Sequence, residues 1–395
     1  MKIAVIGAGL MGSAATKYLV ARKEVETVQL VDQDQNRLEQ TAKSAKSSKL
    51  VPRLLDASDR ASISEAVENF DAALIALPHA ASLSTDLAVI AAGVNAVDLV
   101  FEDVQMKLHP KCLRAGMTLI PGCGVAPGIV QVLAGEGARQ LTSVEEIHML
   151  VGGLPQVRRP PLNYRIVFSF EQVLEMYANE VVRVIRDGKV KKTKALTELE
   201  RVSFPKPYDD MEAFLTDGVA TLLYTMKGRV KVMDEKTVRY PGHAKQIRTL
   251  IETGLVSTRP VKVDGAKIIP RKFLSAILGP KLLLGKEKDV TLLRVTVTGT
   301  KDGSGVKHEY EMVDYFDEVE RATSMARTTA YTGAIAAMLL AEGRISEKGI
   351  VPPESAFVGP TFKTLFRRLA EKNVRISETV TTIAPSMAAS FHGHE

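Results

Sequence analysis

Lys2-Ile3-Ala4-Val5-Ile6-Gly7-Ala8-Gly9-Leu10-Met11-Gly12 is the stretch on which the fold turns. Residues 2–6 are an apolar run behind one lysine, the pattern of a buried strand. Leu10–Arg22 then has helical spacing. Between them stands G-x-G-x-x-G. Gly7 suits a tight turn, Gly9 lets a pyrophosphate approach the backbone at a helix N-terminus, and Gly12 lets the helix pack close to the sheet. Leu10 and Met11 complete the loop. Thr27–Asp32 reads as the second strand, and Asp32 lies 20 residues beyond Gly12. An acidic side chain there accepts hydrogen bonds from ribose hydroxyls and repels a 2′-phosphate, so the cofactor expected is NAD rather than NADP. Arg37, close by in sequence, argues the other way.

Outward from this loop the alternation continues. Leu50–Asp56, Ala72–Pro78, Asn95–Val100 and Met117–Pro121 read as strands. Gln35–Ser44, Ala61–Asn69, Ala81–Ala92 and residues 105–115 read as helices. A β-α unit repeated about five times requires a parallel sheet covered on both faces, a Rossmann-type doubly wound α/β domain. Such sheets bind at the carboxyl ends of their strands. The cofactor contacts expected there are Leu77, Pro78, His79, Asp98 and Cys123. Cys123, between two glycines, fits a small residue in a tight turn better than a nucleophile.

After Pro127 the pattern changes. Glu145–Gly153, Tyr164–Ser169, Val181–Asp187, Arg229–Tyr240, Thr291–Thr300 and Val306–Asp314 read as longer strands with few crossover helices, 242–252 among those few. This implies an α+β domain with a mixed or antiparallel sheet. Arg321–Leu340 reads as one long helix. The division expected is a dinucleotide-binding domain over 1–126 completed by helix 321–345, a substrate and dimerisation domain over 127–320, and a C-terminal segment over 346–395. Pro352 and Pro353 are read as ending the regular part, and the small, polar residues from Thr379 onward as a poorly ordered tail.

Composition narrows the function classes. The chain has 395 residues, 45% of them hydrophobic, which excludes wholesale disorder. Two cysteines exclude a disulfide framework and favour a reducing compartment, read as the cytoplasm. The chain opens on a strand rather than a signal peptide, and no apolar run is long enough to span a membrane. The net charge of +6 is uneven: residues 1–126 carry 13 basic and 14 acidic side chains, so the excess lies in the second part. Its basic run Lys189–Lys194 has no interleaved aromatics and reads as a solvated hairpin, not a nucleic-acid site. No ligand spacing points to a metal.

Five strings carry a resemblance: Gly122–Gly128 (GCGVAPG), Arg159–Val167 (RPPLNYRIV), Glu212–Leu223 (EAFLTDGVATLL), Thr237–Lys245 (TVRYPGHAK) and Met325–Thr332 (MARTTAYT). With the order of segments from Met1 to about Pro353, they resemble the saccharopine dehydrogenase-like oxidoreductases, and within them most closely the lysine 6-dehydrogenases. The resemblance implies NAD-dependent oxidation of the ε-amine of L-lysine to ammonia and 2-aminoadipate 6-semialdehyde, in a homodimer or higher homo-oligomer. Two positions depart from that subfamily. Val100-Phe101 follows Asp98-Leu99, where a Gly-Gly pair is expected, and Gly122-Cys123 precedes Gly124, where an Asp is expected.

The chemistry sets further requirements. An amine oxidised by hydride loss needs a free lone pair, although the unperturbed lysine pKa is about 10.4. It therefore needs a base within hydrogen-bond reach, and a substrate carboxylate needs a cation, best an Arg. Arg239-Tyr240-Pro241-Gly242-His243 offers these together: His243 as acid/base, Tyr240 as its catalytic companion, Arg239 as the carboxylate clamp. Thr216 and Asp217 form a second candidate loop, with Asp217 on a substrate ammonium. Tyr164, beside Asn163, is a further substrate contact. The small-molecule substrate expected is an amino acid or amine. Two alternatives stay open: a saccharopine-type or carboxyspermidine-type reductase joining an amine and a carbonyl, and a dinucleotide-binding sensor without catalysis.

Overall fold

In a computed structural model of the protein, residues 1–167, 170–178 and 181–383 are described. They form two compact units: residues 1–136, 220–222 and 326–375 make the first, and residues 137–219, 223–325 and 376 onward make the second.

The first unit is built on a parallel sheet. Its strands lie side by side in the order Gly349–Ile350, Thr118–Ile120, Ala96–Asp98, Ala72–Ile75, Lys2–Ile6, Thr27–Asp32, Leu50–Leu54, every neighbouring pair parallel. The chain order reverses beside Lys2–Ile6, which leaves a crevice at the carboxyl ends of that strand and of Ala72–Ile75. Ile3, Ala4, Val5 and Ile6 are wholly buried, as a strand covered on both faces must be. The helices start where the sequence places caps. Asp34 accepts the N–H groups of Asn36 and Arg37 at the head of Gln35–Ala45, and Asp59 does the same for Arg60–Val67.

The second unit carries a mixed sheet in the order Glu200–Val202, Met211–Leu215, Val232–Arg239, Ser143–Pro155, Asp289–Lys301, Ser304–Tyr315, Ser377–Ile383. The pair Val232–Arg239 with Ser143–Pro155 is parallel and the other pairs are antiparallel. The basic run forms the exposed strand Lys189–Thr193 of a hairpin whose other strand, Val182–Arg186, is mostly buried. The helices Phe170–Tyr177, His243–Glu252 and Pro270–Leu282 contribute to a core with Tyr164, Phe214 and Leu196. Both sheets thus have the character read from the sequence. No helix among the described residues is long and apolar enough to cross a membrane.

Four expectations are corrected. Tyr164–Ser169 is no strand over its described part: Leu162 and Asn163 take left-handed φ values of 65° and 53°, and only Ile166 makes an isolated bridge, to Leu283. Phe168 and Ser169 lie outside the described residues. The helix read from Arg321 starts at Ser324, because Arg321 has a φ of 51° and the Asp289 carboxylate accepts the N–H groups of Ser324 and Met325 at 2.8 and 2.9 Å. Regular structure continues past Pro352 and Pro353. Pro353 opens the helix Pro353–Ala356 and Pro360 opens Pro360–Ala370, since proline fits a first helical turn whose N–H would be unpaired anyway. The strand Ser377–Ile383 runs into the expected loose tail and pairs as an edge strand with Ser304–Tyr315. Residues 384–395 lie outside the description.

Candidate active site

The glycine loop of the first unit has the geometry its residues imply. Gly7 sits at φ 105°, and a methyl there would lie 2.5 Å from the Ala76 carbonyl oxygen. A methyl on Gly12 would lie 1.7 Å from the Gly7 carbonyl oxygen, whereas one on Gly9 meets nothing within 4 Å. Turn and packing therefore consume two glycines, and the third borders open space. Gly9 heads the helix Leu10–Val20 with no side-chain cap and no acidic residue in the first turn. The first N–H groups, those of Leu10 and Met11, thus meet no capping side chain, the state that suits a pyrophosphate.

Asp32 closes the loop from the next strand. Its Oδ2 accepts the Ala8 N–H at 2.6 Å and its Oδ1 accepts the Asp34 N–H at 2.8 Å. The helix behind it is capped by Asp34 and not by Asp32. Arg37 Nε lies 3.3 Å from Asp34 Oδ2. Beside the loop, between the helices Leu10–Val20 and Gln35–Ala45, a cavity of about 190 Å³ is bordered by Ala8, Ser13, Lys17, Arg37 and Thr41. These features fit a nicotinamide dinucleotide.

The contacts expected further along the sheet divide. Leu77 touches the space beside Gly7, and Pro78 leads into the helix His79–Ala91. His79 is exposed, with Nδ1 3.2 Å from Glu102 Oε1. The side chains of Asp98 and Cys123 are sealed, which corrects their assignment as contacts. Asp98 is fully buried, accepting from Ser82 Oγ, from Val100 N–H at 2.8 Å and from Gln105 Nε2 at 2.9 Å. The same Gln105 amide reaches Asp86 at 2.8 Å. Burial, and then the neighbouring Asp86, push the Asp98 carboxyl well above its ordinary range. Cys123 is fully buried and burial drives its thiol up, so it is no nucleophile. In the MARTTAYT string, Met325, Arg327 and Thr328 are all buried.

In the second unit, alternation along Val232–Arg239 separates what the sequence string joined. Tyr240 lies in the cluster of Tyr208, Phe204 and Val290. Its hydroxyl donates to the main-chain carbonyls of Pro155 and Gln156 at 2.9 and 3.0 Å, and burial raises it to about 12. Tyr240 therefore anchors the strand and has no acid/base work. Arg239 faces the other cluster. It is 3% exposed, and its guanidinium carbon stands 5.1 Å from the Tyr164 ring centre and 5.8 Å from that of Tyr177. Nε donates to Tyr177 Oη at 2.7 Å, and Nη1 to the Val238 carbonyl at 2.8 Å.

His243 belongs to the same cluster but is fully buried. Nδ1 is 2.6 Å from the Leu162 carbonyl and Nε2 is 3.2 Å from Tyr177 Oη. Burial, and then the Arg239 charge, push the ring down to about 3. Both nitrogens are committed, so the acid/base role expected of His243 is withdrawn. Tyr164 is fully buried too, and its hydroxyl donates to no partner among the described residues.

Thr216 and Asp217 follow the strand Met211–Leu215, which pairs with Val232–Arg239. Asp217 pairs with Arg183, Nη2 to Oδ2 at 3.0 Å, which removes it as a holder of substrate ammonium. Thr216 Oγ1 donates to Glu235 Oε2 at 2.6 Å and lies 2.8 Å from Thr237 Oγ1. Glu235 escaped the sequence reading. It is 4% exposed, and burial raises its carboxyl to about 8. A period-two run of polar side chains, Glu235, Thr237 and Arg239, was the available signal. Glu212 was missed as well: its carboxylate accepts the N–H groups of Gly242 and Ala244 at 2.9 and 2.7 Å, anchoring the helix His243–Glu252.

Comparison with known proteins matches two family models to the chain. Residues 3–120 match the saccharopine dehydrogenase NADP binding domain, and residues 124–374 match the saccharopine dehydrogenase C-terminal domain. Carboxyaminopropylagmatine dehydrogenase of Synechocystis sp. is 24% identical over 374 residues, covering 88% of this chain and 91% of that protein. Carboxynorspermidine synthase of Vibrio cholerae is 24% identical over 274 residues, covering 67% of this chain and 64% of that protein. Apo saccharopine dehydrogenase (L-Glu forming) from Saccharomyces cerevisiae shares the fold, with a TM-score of 0.78 at 20% identity over 97% of this chain and 100% of that one. The chain belongs to the saccharopine dehydrogenase family of oxidoreductases.

Proposed function

We propose that the protein reduces the imine formed between the amine of one substrate and the carbonyl of another, giving a secondary amine that carries a carboxylate, and that it catalyses the reverse cleavage. The carrying observation is Arg239. This guanidinium is 3% exposed, pairs with no carboxylate, and leaves Nη2 without a hydrogen bond among the described residues. A buried cation without a counter-ion is costly, and a substrate carboxylate supplies the missing partner. The names of two relatives support the same class: carboxyaminopropylagmatine dehydrogenase and carboxynorspermidine synthase are each named for a carboxyl-bearing amine.

NAD, held by Gly7, Gly9, Leu10, Met11, Gly12 and Asp32, supplies the two-electron chemistry when bound. The chain's own contribution is to hold the substrate carboxylate at Arg239, with Tyr164 beside it. Glu235 is the group that holds a proton near neutral pH, and it takes the acid/base role first sought at His243. The test is a screen at 340 nm of amine and carbonyl pairs with NADH, against oxidative deamination of L-lysine with NAD. NADH consumption that requires both organic partners and is not supported by ammonia is the expected result. Lysine oxidation releasing ammonia would instead favour the deaminase expected from the sequence resemblance.

A further inference from the structure

The hydrogen bonds around Arg239 run in one direction, fixed by what each atom can do. The Leu162 carbonyl can only accept, so the proton of the neutral imidazole sits on His243 Nδ1, 2.6 Å away. The other ring nitrogen is then bare and can only accept, so the Tyr177 hydroxyl donates to Nε2 across 3.2 Å. A guanidinium can only donate, so Tyr177 Oη accepts from Arg239 Nε at 2.7 Å. The Val238 carbonyl takes Nη1 at 2.8 Å. All three side chains are at least 97% buried, so water does not compete for these bonds. Among the described residues Arg239 Nη2 donates to no partner, and neither does the hydroxyl of Tyr164, whose ring lies beneath the guanidinium.

We propose that Tyr177 and His243 are positioning residues for a carboxylate site made by Arg239 and Tyr164. The Leu162 carbonyl fixes the His243 tautomer, the tautomer orients the Tyr177 hydroxyl, and that hydroxyl holds the Nε edge of Arg239. The guanidinium therefore presents Nη2, and the Tyr164 hydroxyl offers a second donor to an acidic oxygen. His243 works only as a neutral ring here. An imidazolium would turn Nε2 into a donor facing the Tyr177 hydroxyl hydrogen. The inference rests on reading Arg239 as the substrate's carboxylate clamp.

Calorimetric titration of the full chain with glutarate, and with neutral glutaramide as control, tests it. The wild type is expected to bind glutarate in preference to glutaramide, and Arg239→Gln to lose that preference. Tyr177→Phe, which keeps the ring, is expected to weaken glutarate binding about tenfold, the value of one hydrogen bond to a charged group. His243→Gln, which keeps an acceptor for Tyr177, is expected to bind more tightly than His243→Leu. Wild-type affinity in Tyr177→Phe would overturn the relay and leave the clamp standing. Equal binding of glutarate by Arg239→Gln and wild type would overturn the clamp reading and the relay with it. Nitrogen-15 NMR of the wild type checks the tautomer without any variant: a protonated Nδ1 and a bare Nε2 at pH 7 are expected, and an Nε2-protonated ring or an imidazolium overturns the proposal.

Discussion

The Asp32 carboxylate accepts the Ala8 N–H at 2.6 Å, so the residue that would receive a ribose also braces the glycine loop. Its second oxygen accepts the Asp34 N–H, so both oxygens hold the carboxylate where it would repel a 2′-phosphate. Asp34 adds to the barrier because its carboxylate draws Arg37 to itself. Asp32→Ser is expected to weaken NAD binding about 10- to 100-fold, the loss of charge-assisted hydrogen bonds. Asp32→Ser with Asp34→Ser is expected to gain NADP binding beyond the single change, because Arg37 and Lys17 beside the cavity are then free to meet the phosphate. Fluorescence titration with NADH and NADPH measures both. An NADPH preference in the unaltered chain would refute the account.

The three glycines of the loop have separable roles, and the variants show it. A methyl on Gly12 meets the Gly7 carbonyl oxygen at 1.7 Å. Main chain must move, so Gly12→Ala is expected to cost about 1–3 kcal/mol or more, typical of overpacking. Gly9 has an ordinary φ of −68° and open space at the methyl position. Gly9→Ala is therefore expected to keep its melting temperature and to lose affinity for the dinucleotide. Equal thermal destabilisation of the two variants would show that Gly9 is kept for packing.

The loop and the first six strands of its sheet were legible because each β-α unit closes locally, whereas the edge strand Gly349–Ile350 arrives from far along the chain and was not read. The strand Lys2–Ile6, the helix after it and Asp32 lie within the first 32 residues, and the apolar period names the elements almost to the residue. The cluster around Arg239 was only half legible. TVRYPGHAK shows Arg239, Tyr240 and His243 as neighbours, but the strand turns Arg239 and Tyr240 to opposite faces. The helix then buries His243 against Leu162, 81 positions away. Tyr177 enters from a third segment with no motif of its own. Burial also reversed the chemistry assigned by residue type. It holds His243 neutral, and it brings Glu235, an ordinary acid in the sequence, to about 8.

The thiols offer a simple check on burial. Cys112 and Cys123 are both wholly buried, and burial raises Cys112 to about 12. Neither is a thiolate at pH 8, so neither is expected to react with a disulfide reagent in the native protein. Both of the chain's 2 cysteines are expected to react after unfolding in guanidinium. Rapid native labelling of Cys123 would place it on an open surface and revive its assignment as a cofactor contact.

Glu235 gives the prediction with the clearest sign. Its carboxyl is raised from 4.5 to about 8 by burial, so the folded state binds a proton that the unfolded state has released at neutral pH. Linkage then fixes the direction: the contribution to stability is complete below about pH 4.5 and is lost as pH rises toward and through about 8. Glu235→Gln keeps an acceptor for the Thr216 hydroxyl, which lies 2.6 Å from Oε2, and carries no charge at any pH. Relative to wild type, the variant is expected to gain several degrees of melting temperature at about pH 8.5 and to lose most of that gain at about pH 5. If Glu235 also delivers the proton in catalysis, the same substitution lowers kcat on the carboxylate-bearing substrate and removes the pH–rate limb near 8, with little change in KM. A melting difference that does not change with pH would show that the Glu235 carboxyl titrates in its ordinary range. A kcat unchanged by the substitution would confine Glu235 to the packing of Thr216 and Thr237.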